Sequence, residues 1–95
     1  MSAYTRNLQY EARLRTQATL LAERISEKLL SQSNQLRQQL ETQSEIADGD
    51  SEPPFTWTSK VRDSTEVPEQ VEIIVEVSWR YGGREHLVQV ATYAR

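Results

Sequence analysis

The chain contains no cysteine, and its 95 residues include three glycines, three prolines, one histidine, one methionine and one phenylalanine. Without cysteine there is no disulfide, no thiolate metal ligand and no cysteine nucleophile, and the redox compartment stays open. With one histidine, any zinc site would have to lean on carboxylates. No run approaches the roughly 18 apolar residues that cross a membrane, and the first residues lack the apolar core of a secretory signal. Positive charge is also short. Lys and Arg number 11 against 14 Asp and Glu, for a formal net charge of −3 and a pI near 5.1. Arg13, Arg15, Arg24 and Lys28 are interleaved with Glu11, Glu23 and Glu27, so no basic stripe is available to phosphates and nucleic acid is not an expected partner. A chain of this length makes one domain and buries roughly 60 to 65% of the surface its unfolded form exposes.

From Tyr4 to about Gln43 there is neither Gly nor Pro, and Leu, Gln, Glu, Arg and Ala dominate, which predicts one long helix over 4–43. Advancing about 100° per residue from Ala18, the residues Leu14, Leu21, Ala22, Ile25, Leu29, Leu36 and Leu40 fall within about ±60° of one direction. That is one apolar stripe. Leu20 lies near 200° on the same wheel, and Ala12 and Leu30 near 120°, so these three are predicted to lie outside the core and to be available to a partner. Glu11 and Arg15 point into the apolar sector, and the first two or three turns are expected to project beyond the folded body.

The stretch "QSEIADGDSEPPF" carries Glu45, Asp48, Asp50 and Glu52 without a base, then Pro53 and Pro54, and reads as an acidic loop over 44–54. Alternate carboxylates in a loop can converge on a calcium ion, but Asp48, Asp50 and Glu52 lack the full calcium-loop spacing, so no metal site is assigned. Strands follow. "FTWTSKV" alternates Phe55, Trp57 and Val61 with Thr56, Thr58 and Lys60, "RDSTEVPEQ" is a polar connection containing Pro68, and "VEIIVEVSWR" places Val71, Ile73, Val75, Val77 and Trp79 on one face.

Gly82-Gly83 tolerates the positive φ angles of a two-residue hairpin. If it is the turn, opposed residues carry numbers summing to 165: Trp79 faces His86, Val77 faces Val88, Val75 faces Val90, and Arg80 faces Glu85 as an ion pair on the other face. The register also bears on catalysis. Ser78 and His86 fall on opposite faces of the sheet, so they cannot form the dyad that a serine nucleophile needs, and His86 is expected to pack on Trp79. No catalytic residue, cofactor or small-molecule substrate is assigned. Helix and strand lengths match, at about 33 Å for Ala18 to Leu40 and about 30 Å for Val71 to Arg80. The expected fold is therefore α+β, a long helix packed on an antiparallel sheet of about three strands, in one domain. The outer face of that sheet carries Ile74, Leu87 and Tyr93, apolar residues that a solvated face does not require and that could form a docking patch.

The order of elements resembles the minor pseudopilins of the type II secretion system, the I-type above all, and the related minor type IV pilins. "RTQATLLAERISEKL" looks like the helix that follows their membrane segment, "DGDSEPPFTWTSKV" like their acidic loop leading into the first strand, and "VEIIVEVSWRYGGREHLVQVATYAR" like their terminal hairpin. The family's peptidase site and the apolar stretch after it do not appear in this sequence. The start "MSAYTRNLQYE" enters an amphipathic pattern at once, as expected of a segment cut from a longer chain. The resemblance implies a pilin-like subunit anchored in the bacterial inner membrane by an N-terminal helix outside this sequence, with this domain in the periplasm. Other minor pseudopilins would be its partners, met through helix contacts, in a tip complex that primes a filament for protein export. A soluble acidic binding module, such as a secretion chaperone, is the alternative that the same residues allow.

Overall fold

A computed structural model describes residues 3–64 and 69–94, with side chains described from Gln9 onward. Two helices come first, α1 (Ala3–Ser31) and α2 (Ser33–Leu40), then four strands: β1 (Ile46–Glu52), β2 (Phe55–Asp63), β3 (Val71–Tyr81) and β4 (Arg84–Ala94). The strands form one antiparallel sheet in the order β1-β2-β3-β4, so the fold is α+β, with one strand more than the sequence suggested. Pro68, in the connection between β2 and β3, lies outside the described residues.

The additional strand is the segment that reads as an acidic loop. Ala, Asp, Gly, Ser and Glu are all poor or indifferent strand formers, so local propensity gives no sign of it. What makes it a strand is the ladder to β2, running from Ile46 opposite Val61 to Glu52 opposite Phe55, which leaves Pro53-Pro54 as the two-residue turn. Pro is tolerated there because turn residues need not donate to the ladder.

The helix is not continuous either. Gln32 interrupts it at φ −107° and ψ 14°, and its N–H donates to Leu29 O at 3.0 Å, a bond that spans three residues rather than four. Ser31 Oγ–H donates to Lys28 O at 2.6 Å. Serine competes in this way for helical carbonyls, which accounts for a break in a stretch that holds neither Gly nor Pro. The helix also ends at Leu40, three residues before the expected limit.

The apolar stripe is the lining between the two layers. Leu14, Ala18, Leu21, Ala22, Ile25, Leu36 and Leu40 are buried together with Phe55, Val61, Val71, Ile73, Val75, Val77 and Trp79. Two residues depart from the expected pattern. Leu29, at the centre of the stripe, is only half-buried, because it lines a groove beside Trp57 and Ser59 where the helix leaves the inner face of β2 partly open. Leu30, expected outside the core, is half-buried and packs against it. The helix is rolled so that Ser26, one turn earlier on the same flank, is also buried, and the covered arc reaches Leu30.

The hairpin has the register read from the sequence, with every β3–β4 pair from Val71–Ala94 to Tyr81–Arg84 summing to 165. Gly82 and Gly83 take φ of 64° and 74°, as the tight turn demands. His86 stacks on Trp79 with ring centroids 5.5 Å apart and planes 15° apart, and Phe55 meets the same indole edge-on at 5.8 Å. The start of the helix closes over this end of the sheet. Arg15 places its guanidinium 5.5 Å from the indole centroid, Glu11 Oε1 lies 3.7 Å from His86 Nδ1, and Tyr10 packs on Tyr81 at 5.3 Å. The two charged residues in the apolar sector thus serve the aromatic end of the core. Of the first two or three turns, expected to project beyond the folded body, the part from Tyr10 onward lies against the sheet, and the side chains before Gln9 lie outside the described residues.

Two buried polar atoms have no hydrogen-bond partner among the described residues, Ser26 Oγ and Trp79 Nε1. An unsatisfied buried hydroxyl costs about 1–3 kcal/mol. Ser26→Ala should therefore leave the urea midpoint unchanged or raise it. Ala22→Leu should lower stability by about 1–3 kcal/mol, because a fully buried alanine on the helix has no space for the rest of a leucine side chain. Equilibrium urea unfolding followed by circular dichroism measures both.

Candidate interaction surface

The helix offers one well-isolated apolar residue. Leu20 is 59% exposed, opposite the buried stripe, and lines a shallow groove with Gln17, Leu21, Arg24, Glu52, Pro53 and Phe55. Two of its lining residues form a helix-to-strand clamp, in which Arg24 Nη2 donates to both carboxylate oxygens of Glu52 at 3.0 and 2.9 Å. Ala12 is exposed as expected, but on a flank about 80° away from Leu20 around the helix. Leu30, the third expected contact residue, is largely taken up by the core. The three therefore do not form one helical face.

On the outer face of the sheet the predicted patch is divided. Ile74 is half-buried opposite Ala91, and Tyr93, 44% exposed, stands on the neighbouring row opposite Glu72, so these two are diagonal neighbours. Leu87, 49% exposed, stands opposite Ser78, roughly 13 Å along the strand from Ile74, with the Glu76–Gln89 row between them. Polar pairs fill the rest of this face. Arg62 Nε donates to Glu72 Oε2 at 3.3 Å, and Ser78 Oγ–H donates to Thr56 O at 3.4 Å. Arg80 and Glu85 are opposed in register, but the expected ion pair between them is not formed; both side chains are exposed, where solvent competes with the attraction.

The chemistry-bearing residues are scattered. Ser78 and His86 occupy opposite faces, and His86 Nε2 lies 3.3 Å from the Tyr81 carbonyl oxygen. Asp48, Asp50 and Glu52 alternate along β1, opposite Ser59, Trp57 and Phe55, so they project from the face that carries the helix. Successive residues on one strand face stand roughly 6.6 Å apart, and Glu52 is already held by Arg24. Among the described residues no group of three or more His, Cys, Asp or Glu could hold a metal ion, and no helix is long and apolar enough to cross a membrane.

No family model matches the chain, and no curated protein and no solved structure matches it.

Sequence reading missed the groove beside Trp57, since its lining comes from α1, β1 and β2 together. Leu20→Asp should shift the unfolding free energy by no more than about 0.5 kcal/mol, as an exposed substitution does. Leu21→Asp, one residue on, should unfold the domain by burying an unpaired charge. Urea titration of the two variants checks the phase of the helix.

Proposed function

We propose that this domain is the globular part of a pilin-like filament subunit, a minor pseudopilin of the type II secretion system. The observation that carries the reading is α1. A helix of 29 residues buries one stripe against an antiparallel sheet while holding a large apolar side chain, Leu20, out on the opposite side at mid-length. A helix that also packs on neighbouring subunits would use that residue as a contact. The order of elements, long helix first and antiparallel hairpin last, supports the same reading. Its subunit would be anchored in the bacterial inner membrane by an apolar helix preceding this sequence, with the domain in the periplasm and other minor pseudopilins as partners. Its work would be structural, priming a filament that drives protein export. A minor type IV pilin is the nearest variant of this role.

The coding sequence upstream of Tyr4 tests the proposal. A short basic leader followed in frame by about 20 apolar residues is the expected result. An in-frame stop codon with no such stretch overturns it and leaves a soluble binding module. In the full-length subunit, Leu20→Asp should weaken co-purification with co-encoded pilin-like subunits at least tenfold while the domain stays folded.

A further inference from the structure

The two edges of the sheet are built differently. β1 turns Asp48, Asp50 and Glu52 toward the face that carries the helix and ends at Pro53-Pro54. Inward-pointing charges and flanking prolines are devices that keep an edge from pairing with another strand. Beyond Arg84, beside the turn, β4 carries no charge at an inward position and no flanking proline. It runs 11 residues without Pro, Gly or Lys, its middle from Leu87 to Thr92 is uncharged, and it pairs with β3 without a bulge.

The main-chain groups that this edge presents follow from the turn. In a two-residue hairpin the residues flanking the turn, Tyr81 and Arg84, form a hydrogen-bonded pair, and such pairs recur at every second position. Even-numbered residues of β4 therefore bond to β3. Glu85, Leu87, Gln89, Ala91 and Tyr93 point their N–H and C=O groups outward, and all five are exposed. On the inner face Val88 and Val90 pack against the core beside α1 but remain half-buried.

We infer that β4 pairs with β4 of a second copy of this chain, antiparallel about a twofold axis at Gln89, to form a continuous eight-stranded sheet. The inference does not rest on the filament reading. In this register Gln89 faces Gln89 of the other copy, Leu87 faces Ala91, Val88 faces Val90, His86 faces Thr92 and Glu85 faces Tyr93. Apolar side chains meet on both faces, no like charges are opposed, and the five outward-facing residues of each copy make about ten main-chain hydrogen bonds. The pairing also terminates itself. Both free edges of the dimer are β1, each guarded by its carboxylates, so a twofold contact closes where a β4-to-β1 contact would propagate.

Gln89 on the axis gives the test. Sedimentation equilibrium of the 95-residue chain should show a concentration-dependent species at twice the 11.0 kDa chain mass. Gln89→Lys and Gln89→Glu each place like charges opposite one another, so each variant alone should be at least tenfold weaker in self-association, and their equimolar mixture should recover the dimer. Amide exchange gives a second reading without substitution. The amides of Leu87, Gln89 and Ala91 should slow as protein concentration rises, and those of Ala47, Gly49 and Ser51 on β1 should not. A wild-type chain that stays monomeric to millimolar concentration overturns the inference. So does a dimer indifferent to either charge at position 89, or a mixture of the two variants that fails to pair.

Discussion

Ala18 and Ala22 have no exposed surface, and neither do Ile73, Val75 and Val77 on the strand at the centre of the sheet's covered half. Two alanines one turn apart let a helix backbone approach a sheet closely, and β-branched valine and isoleucine present the stiff, pleated surface that such a helix can rest on. This seam is the centre of the core, and the other buried residues, from Leu36 and Leu40 on α2 to Phe55 and Val61 on β2, are arranged around it. At one end Trp79 closes the seam, held between the stacked His86 ring and the Phe55 edge, with the Arg15 guanidinium near its ring. At the other end Arg37 Nη2 donates to the carbonyls of Glu69 and Ala94, both at 3.1 Å, and so ties α2 to the connection after β2 and to the last residues of β4.

One helix cannot cover four strands. α1 lies against β3 and β4, while α2 reaches β1 and β2. Beside α1 the inner face of the first hairpin is partly bare, and this is why Trp57 and Leu29 are half-exposed and why the Arg24–Glu52 clamp spans an open groove. The polar composition of β1 follows from the same geometry. A strand that α1 leaves uncovered and α2 only touches gains little from apolar side chains and loses little by carrying carboxylates, which also protect its edge. β4, under the helix on its inner side, keeps valines there, and its unguarded edge is the cost of that placement.

The helix phase, the alternating faces of β2 and β3, the hairpin register and the Trp79–His86 stack are all legible in the sequence. Each rests on a periodicity or a turn geometry that is local in sequence: 3.6 residues for the helix, two for the strands, and the positive φ of Gly82-Gly83 for the register. Exposure of the candidate contact residues is less legible. Leu20 lies outside the core as expected, because it is far from the stripe, where small errors in roll do not matter. Leu30 does not, because it lies at the margin of the stripe, where the roll of the helix decides between burial and exposure. Ile74, Leu87 and Tyr93 share a face by parity alone, and parity does not say how far apart along the sheet they stand.

The amino-acid sequence by itself determined an α+β domain in which a long amphipathic helix covers a hairpin of known register, because those features follow from side-chain spacing and turn chemistry. Tertiary structure alone decided that "IADGDSE" is a strand, since its hydrogen bonds are supplied by β2 and not by any preference of its own residues. It also decided the break at Gln32, where Ser31 draws on a carbonyl of the helix it terminates. And it decided which edge of the sheet is guarded and which is open, a property of strand order that no single segment contains.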